Sequence, residues 1–355
     1  MFFASPNAST CKHHDKHCQA YLTARKHNFF FHTMKNITFF VVLVISICTA
    51  RQAIAQEGSL YAVSVSPQFG FVHGQAKELV YPAGTKAEFL SELRWDKKPV
   101  FYYGISLDFS QIAPRDRRGY FFNLSLKQGI PGRSGMHENR DWMSKENANL
   151  THFSRHDNHT RELFFLDFGA GLSFPFDRII LKPFFNLSFM RLSFFGTDGY
   201  GLYAQQTSTG SFYPIDDNPK RVRFSGKVIS YTQEWLNLAP GISAGYYAHD
   251  NFLTELSFMI SPLVSCVALD EHKERNIQFN DHTWGGIWLE PGFKLSWAIT
   301  EWLGISGEVS WRHIVGTKGQ SYTRTPIGAG SYQASGIAGT GLSVINTSLA
   351  VTLRL

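Results

Sequence analysis

Apolar and polar residues alternate one by one in segment after segment of this chain, and that period of two constrains its fold more than any other feature. In INTSLAVTLRL (345–355), Ile345, Leu349, Val351, Leu353 and Leu355 alternate with Asn346, Ser348, Ala350, Thr352 and Arg354. In extended backbone, successive side chains point to opposite faces, so such a segment offers one greasy face and one polar face. The pattern recurs in ELFFLDFGAGL, where Phe164, Leu166, Phe168 and Leu172 oppose Asp167 and Gly169. It recurs again in LGISGEVSWRH, with Leu303, Ile305, Val309 and Trp311 against Ser306, Glu308, Ser310 and Arg312. The 31 Phe, 30 Gly and 15% aromatic content favour strands. Beyond a leader-like segment, no stretch reaches the ~20 apolar residues that a spanning helix requires.

That leader-like segment, MKNITFFVVLVISICTARQAIAQ, begins at Met34. It carries Lys35, an apolar core from Phe39 to Cys48, and an Ala-x-Ala site at Ala53 and Ala55, the pattern of a secretory signal peptide. Three segments are expected: residues 1–33 as an extension upstream of the natural start, 34–55 as the signal peptide, and 56–355 as the mature chain. The set Cys11, His13, His14, His17 and Cys18 in CKHHDKHC resembles a zinc cluster, but it precedes the leader, so no metal site is assigned. Cys266 is the sole cysteine beyond residue 55, and no intramolecular disulfide is expected. The net charge of +6 arises partly in the first 35 residues and forms no basic stripe, so nucleic-acid binding is not expected.

A soluble sandwich also alternates. An exported chain ending on a strand, with breaks of alternating length, points instead to a membrane barrel. Short breaks fall at PFDR (175–178), AHDN (248–251) and ITEW (299–302), with a longer one at SQIAPRDRRG (110–119). Long polar stretches lie between them, at roughly 131–159, 197–222, 269–281 and 317–340. The expected fold is all-β, a ten-stranded antiparallel transmembrane β-barrel with short periplasmic turns and long extracellular loops. Its strands are placed at 59–75, 85–109, 119–130, 160–174, 179–196, 224–247, 252–268, 282–298, 303–316 and 341–355. Glu255, Glu290, Lys294, Glu308 and Arg312 would pair inside so narrow a barrel and close it to flow.

Strand parity sorts the chemistry. The segment CVALDEHKERN (266–276) follows an odd number of strands and belongs outside the cell. Asp270 and His272 are two apart and share a face in extended backbone, with Glu271 turned away. A carboxylate beside an imidazole fixes its tautomer and raises its basicity. The stretch MHENRDWMS (136–144) is also extracellular by parity, and it sets Asn139 and Asp141 two apart. Two carboxylates, an amide and an imidazole at one mouth could activate a water for attack on a carbonyl.

These segments resemble the omptins, a family of outer-membrane proteases built on a ten-stranded barrel. GQAKELVYPAGTKAEFLSELRWD resembles their first loop and second strand. RDWMS followed by SRHDNHT resembles their second loop, and ALDEHK resembles the fourth loop with its Asp-x-His pair. The resemblance covers most of the chain beyond about residue 65. It implies an aspartic-type endopeptidase that needs no acyl-enzyme: Asp270 orients His272, His272 is the general base, and Asp141 belongs to a facing pair. Asn139 stands where the first Asp of that pair is expected, and an amide cannot take a water's proton at neutral pH. Glu78 matches one of the acids through which omptins favour cleavage between basic residues, whereas the companion position is Ala268, so the preference for Arg or Lys before the cut is expected to weaken. Arg191 resembles a residue that binds lipopolysaccharide, but Glu234 stands where a second base is expected, so no cofactor and no lipopolysaccharide requirement is inferred. The expected partners are cell-surface peptides or proteins and outer-membrane lipid, with the chain a monomer. The competing expectation is a non-catalytic omptin-like barrel that acts as a surface adhesin or binding protein.

Overall fold

The computed structural model describes residues 61–82, 87–111, 118–327 and 331–355. The extension, the signal peptide and the zinc-like cluster lie outside these residues. The described chain is a single antiparallel sheet of fifteen strands. They are β1 (Tyr61–Val80), β2 (Ser91–Gln111), β3 (Gly119–Gly129), β4 (Gly132–Asp141), β5 (His152–Phe176), β6 (Ile179–Tyr203), β7 (Lys220–Arg223) and β8 (Lys227–His249). After them come β9 (Phe252–Ser261), β10 (Val264–His272), β11 (Ile277–Trp284), β12 (Ile287–Ala298), β13 (Leu303–Val315), β14 (Lys318–Arg324) and β15 (Ser331–Arg354).

Ten walls account for all fifteen. β3 and β4 form one wall between β2 and β5, and β7 extends β8 beside β6. β9 and β10 both pair with β8. β12 and β11 are their next neighbours, followed by β13 and β14 against β15. Pairing of β15 with β1 closes the ring. The walls that divide do so at punctuating residues. Pro131 and Pro262 lie in two of the breaks, where they cannot donate to the ladder. Gly285 and Gly286 lie in the third, and Gly316 in the fourth, all with positive φ. Each of these four breaks adjoins an exposed apolar residue, namely Ile130, Leu263, Trp284 or Val315, whereas the fifth, at residues 224–226 between β7 and β8, does not. The four therefore mark the upper edge of the apolar band, where the strands bend.

Below them Phe69, Phe168, Leu187, Leu256, Trp297 and Leu349 point outward, the lipid-facing half of the alternation read in the sequence. β5 and β6 have 25 residues each. A bilayer takes only ~9–11 tilted residues of a strand, so the barrel rises well above the membrane. The upper strands fill most of the segments expected as long loops. β4 reaches Asp141 and β5 starts at His152, β6 ends at Tyr203, and only Lys273–Asn276 link β10 to β11. Above the bilayer both faces of a strand can be polar, and alternation ceases to mark it. Residues 142–151 and 204–219 lie outside the strands, as expected of loops, whereas β4, β14 and most of β11 are strands within stretches read as loop.

Two layers fill the interior. At membrane depth Arg312 donates to Glu290 at 2.6 Å and to Asp167 at 3.2 Å. Lys182 pairs with Glu255 at 2.7 Å, and Lys294 lies in register with Glu308 on the next strand. Of the charges expected to pair, Arg312 and Glu290 do so directly, Glu255 pairs instead with Lys182, and Asp167 joins the Arg312 cluster. Nearer the outer mouth, Trp95 stacks on Tyr231 and His137. Trp95, Trp235 and Trp288 are fully buried.

Arg312→Ala would leave Glu290 and Asp167 without their buried partner. A loss of about 3–5 kcal/mol is expected, measured as a lower urea midpoint for the refolded barrel. An unchanged midpoint would mean that solvent in the lumen, rather than Arg312, balances these carboxylates.

Candidate active site

Asp270 and His272 lie on β10, not on a loop, and the strand geometry sets them side by side. Asp270 Oδ2 is 2.6 Å from His272 Nε2. Asp270 is 2% exposed and its Oδ1 has no partner among the described residues. Phe279, the cross-strand partner of Asp270, packs edge-on against the imidazole. Glu271 faces away as expected and accepts from Ser230 and Gln278. The other imidazole nitrogen, Nδ1, accepts from the Arg275 guanidinium at 2.8 Å. A lone pair on Nδ1 places the ring proton on Nε2, against the Asp270 carboxylate. Nδ1 therefore carries the ring's free lone pair, engaged here by Arg275.

Asn139 and Asp141 end β4 and share its inward face. Ser91 of β2 donates to Asp141 Oδ1 at 2.6 Å and approaches Asn139 Oδ1 at 3.0 Å. Asn139 Nδ2 lies 3.4 Å from Asp141 Oδ2. Glu138 points the other way and pairs with Arg140. Burial holds the Asp141 carboxyl above the usual range, against the pull of Ser91, His152, Arg275 and His272. Asn139, Asp141, His272 and Arg275 line two adjoining cavities, of about 340 and 190 Å³. The two motifs, far apart in sequence, thus converge at one mouth, above the apolar band.

The larger cavity holds an acid that the sequence reading missed. Ala268, where a carboxylate was expected, is paired across β10 and β11 with Asp281. Asp281 is 4% exposed and Glu78 is 3% exposed, and both line this cavity with Asp270. Glu78, Asp270 and Asp281 each retain one buried oxygen without a hydrogen-bond partner among the described residues. Burial pushes the Asp281 carboxyl up to about 7, with Asp270 raising it further and the Ser321 hydroxyl opposing. Burial, with Asp270 and Asp281, also holds Glu78 well above its ordinary value. A one-residue register argument between 268 and 281 could have found Asp281, but the sequence offers no signal for that pairing. Ser91 was missed for the same reason.

The smaller cavity lies on the far side of the dyad. It is lined by His137, His156, Tyr203 and Glu274 besides the shared residues. His137 and His156 stack at 5.6 Å and bind backbone carbonyls through Nδ1. Burial holds both imidazoles below their ordinary value, so they are neutral at pH 7. Arg191 lies apart, on the flank of β6, between Glu162 at 3.0 Å and Glu234 on the neighbouring strand. Among the described residues, no three His, Cys, Asp or Glu side chains are grouped so as to hold a metal ion.

The Omptin family pattern matches residues 59–354. The plasminogen activator of Yersinia pestis is 25% identical over 307 residues, which cover 82% of this chain and 88% of that protein. The crystal structure of the outer-membrane protease OmpT from Escherichia coli superposes with a TM-score of 0.70 at 17% identity, covering 83% of this chain and 97% of that one. With its closed ten-walled barrel and a match across most of its length, this chain belongs to the omptin family of outer-membrane proteases.

Proposed function

We propose that this protein is an outer-membrane endopeptidase that hydrolyses exposed peptide bonds with a water activated by His272. The supporting observation is the orientation of the dyad: Asp270 holds Nε2–H, so Nδ1 faces the cavity that Asp141 and Asn139 also line. His272 Nδ1 takes a proton from a water held near Asn139 and Asp141. The resulting hydroxide attacks the peptide carbonyl carbon, and the carbonyl electron pair moves to oxygen. Collapse of this tetrahedral species breaks the C–N bond, and the proton on His272 passes to the departing amine. No covalent enzyme intermediate forms.

The pocket beside the dyad fits a cationic side chain. Three buried carboxylates with unpartnered oxygens attract an ammonium or guanidinium, and repel an acid. Asp281 therefore supplies, from the adjacent strand, the charge absent at Ala268. At Arg191, two carboxylates surround one guanidinium, an arrangement that does not favour a lipid phosphate. Asn139 favours a second reading, a barrel that binds peptides without cutting them, because the amide removes one proton acceptor from the water's surroundings.

His272→Ala should lower kcat/KM on an arginine-containing peptide by about 10²–10⁴-fold, measured by mass spectrometry of the new termini. If the native protein releases no termini while Asn139→Asp does, the binding reading replaces hydrolysis.

The ratio of kcat/KM for arginine over glutamine before the cut should rise as pH increases through about 7, where Asp281 loses its proton. Asp281→Asn should flatten that rise and reduce the ratio by about tenfold, near 1.4 kcal/mol. The folded chain binds this proton more tightly than the unfolded one, so ionised Asp281 lowers stability as pH climbs from about 4 to about 7. Asp281→Asn should therefore unfold at higher urea than the native chain at pH 8, with the difference shrinking toward pH 4. A native arginine preference that does not vary with pH would remove Asp281 from the pocket's recognition of charge.

A further inference from the structure

Arg275 occupies the atom that hydrolysis requires. Its guanidinium donates to His272 Nδ1 at 2.8 Å, and a general base whose lone pair is already engaged cannot take a proton from water. The residue is exposed and sits in the four-residue turn Lys273–Asn276 between β10 and β11, closed by a bond from Asn276 N to Lys273 O. Among the described residues, no carboxylate lies within 4.0 Å of it, although Glu274 is its neighbour in sequence and Asp141 lines the same cavities. A guanidinium with no acid partner, held by a single bond to a neutral ring, is easily exchanged. A carboxylate offers it two parallel charge-assisted bonds.

Position determines which carboxylate. Arg275 lines both cavities, as do Asn139, Asp141 and His272, so the reacting bond lies at their common wall. A cationic side chain settled beside Glu78 and Asp281 directs the following residue toward the smaller cavity. There the histidines His137 and His156 are neutral, Glu274 is exposed, and Arg275 is the cation nearest the dyad.

We propose that Arg275 selects substrates bearing an acidic residue immediately after the scissile bond, and latches His272 until such a residue draws the guanidinium away. This inference rests on the hydrolytic reading above. It narrows the substrate to a junction of a basic residue followed by an acidic one. A neutral residue there leaves the latch closed unless it is opened with no compensating contact. A basic residue adds repulsion.

Three peptides that share an arginine before the cut and carry glutamate, glutamine or lysine after it test this selection. For the native protein, kcat/KM should fall in that order, with glutamate above glutamine by about five- to tenfold, a partly exposed ion pair being worth of order 1 kcal/mol. Arg275→Ala should flatten the series and raise the glutamine and lysine peptides above their native values. If Arg275→Ala retains the glutamate preference, or slows all three peptides equally, the selection is overturned. A turnover-free arm separates this from the hydrolytic reading. His272→Ala, monitored by fluorescence anisotropy, should bind the glutamate peptide more tightly than the glutamine peptide, and His272→Ala/Arg275→Ala should not. A native protein that cuts without glutamate preference removes the selection and leaves hydrolysis standing. A glutamate preference in binding, with no cutting by the native protein, does the reverse.

Discussion

Closure of the backbone hydrogen-bond ladder is the constraint on which everything else depends. In hydrocarbon no water can satisfy a free N–H or C=O, so a strand can cross only inside a ring without edges. The pairing of β15 with β1 supplies that closure. Ten walls then force successive connections to alternate between the two sides of the membrane. Asp141 and Asp270 are far apart in sequence, yet parity delivers both to the outer mouth. The walls on which they ride extend beyond the lipid, so the site sits on a rigid, water-facing collar rather than on mobile loops.

The collar holds an arrangement that a soluble core would not tolerate. Glu78, Asp270 and Asp281 are nearly buried, each with an oxygen lacking a hydrogen-bond partner among the described residues. Burial, and after it the neighbouring carboxylates, raises the proton affinity of Glu78 and Asp281. Such groups destabilise the fold, and the surrounding sheet offsets that loss with its continuous ladder and its aromatic floor. Trp95, Tyr231 and Trp235 lie beneath the dyad, and Trp235 donates to Gln233, which in turn bonds Lys77 O across the barrel. The charged girdle around Arg312 lines a different cavity from Glu78, Asp270 and Asp281.

What the sequence revealed follows from the same division. Within the bilayer, lipid outside and ionic side chains inside impose strict alternation, and the lower strands were legible residue by residue. Above it, stretches such as HENRD and SRHDNHT carry polar residues on both faces, so genuine strands read as loops. The i, i+2 spacing still placed Asp270 with His272 and Asn139 with Asp141, because it requires only extended backbone. Asp281 depends on the register of β10 against β11, and Arg275 on the reach of a side chain from a turn. Neither is written in local sequence pattern.

Compared with the family's implied pattern, this mouth has exchanged charges in a consistent direction. The acid expected at 139 is an amide, and the acid expected at 268 is an alanine. Asp281 restores a negative charge on the Glu78 side of the dyad, while Arg275 adds a positive one near Asp141. Glu78 and Asp281 lie in the larger cavity alone, while Arg275 borders both cavities beside His272. With Asn139 neutral, Asp141 faces less like-charge repulsion than a paired carboxylate would. The Ser91 hydroxyl donates to one of its oxygens at 2.6 Å, and Asn139 Nδ2 lies 3.4 Å from the other.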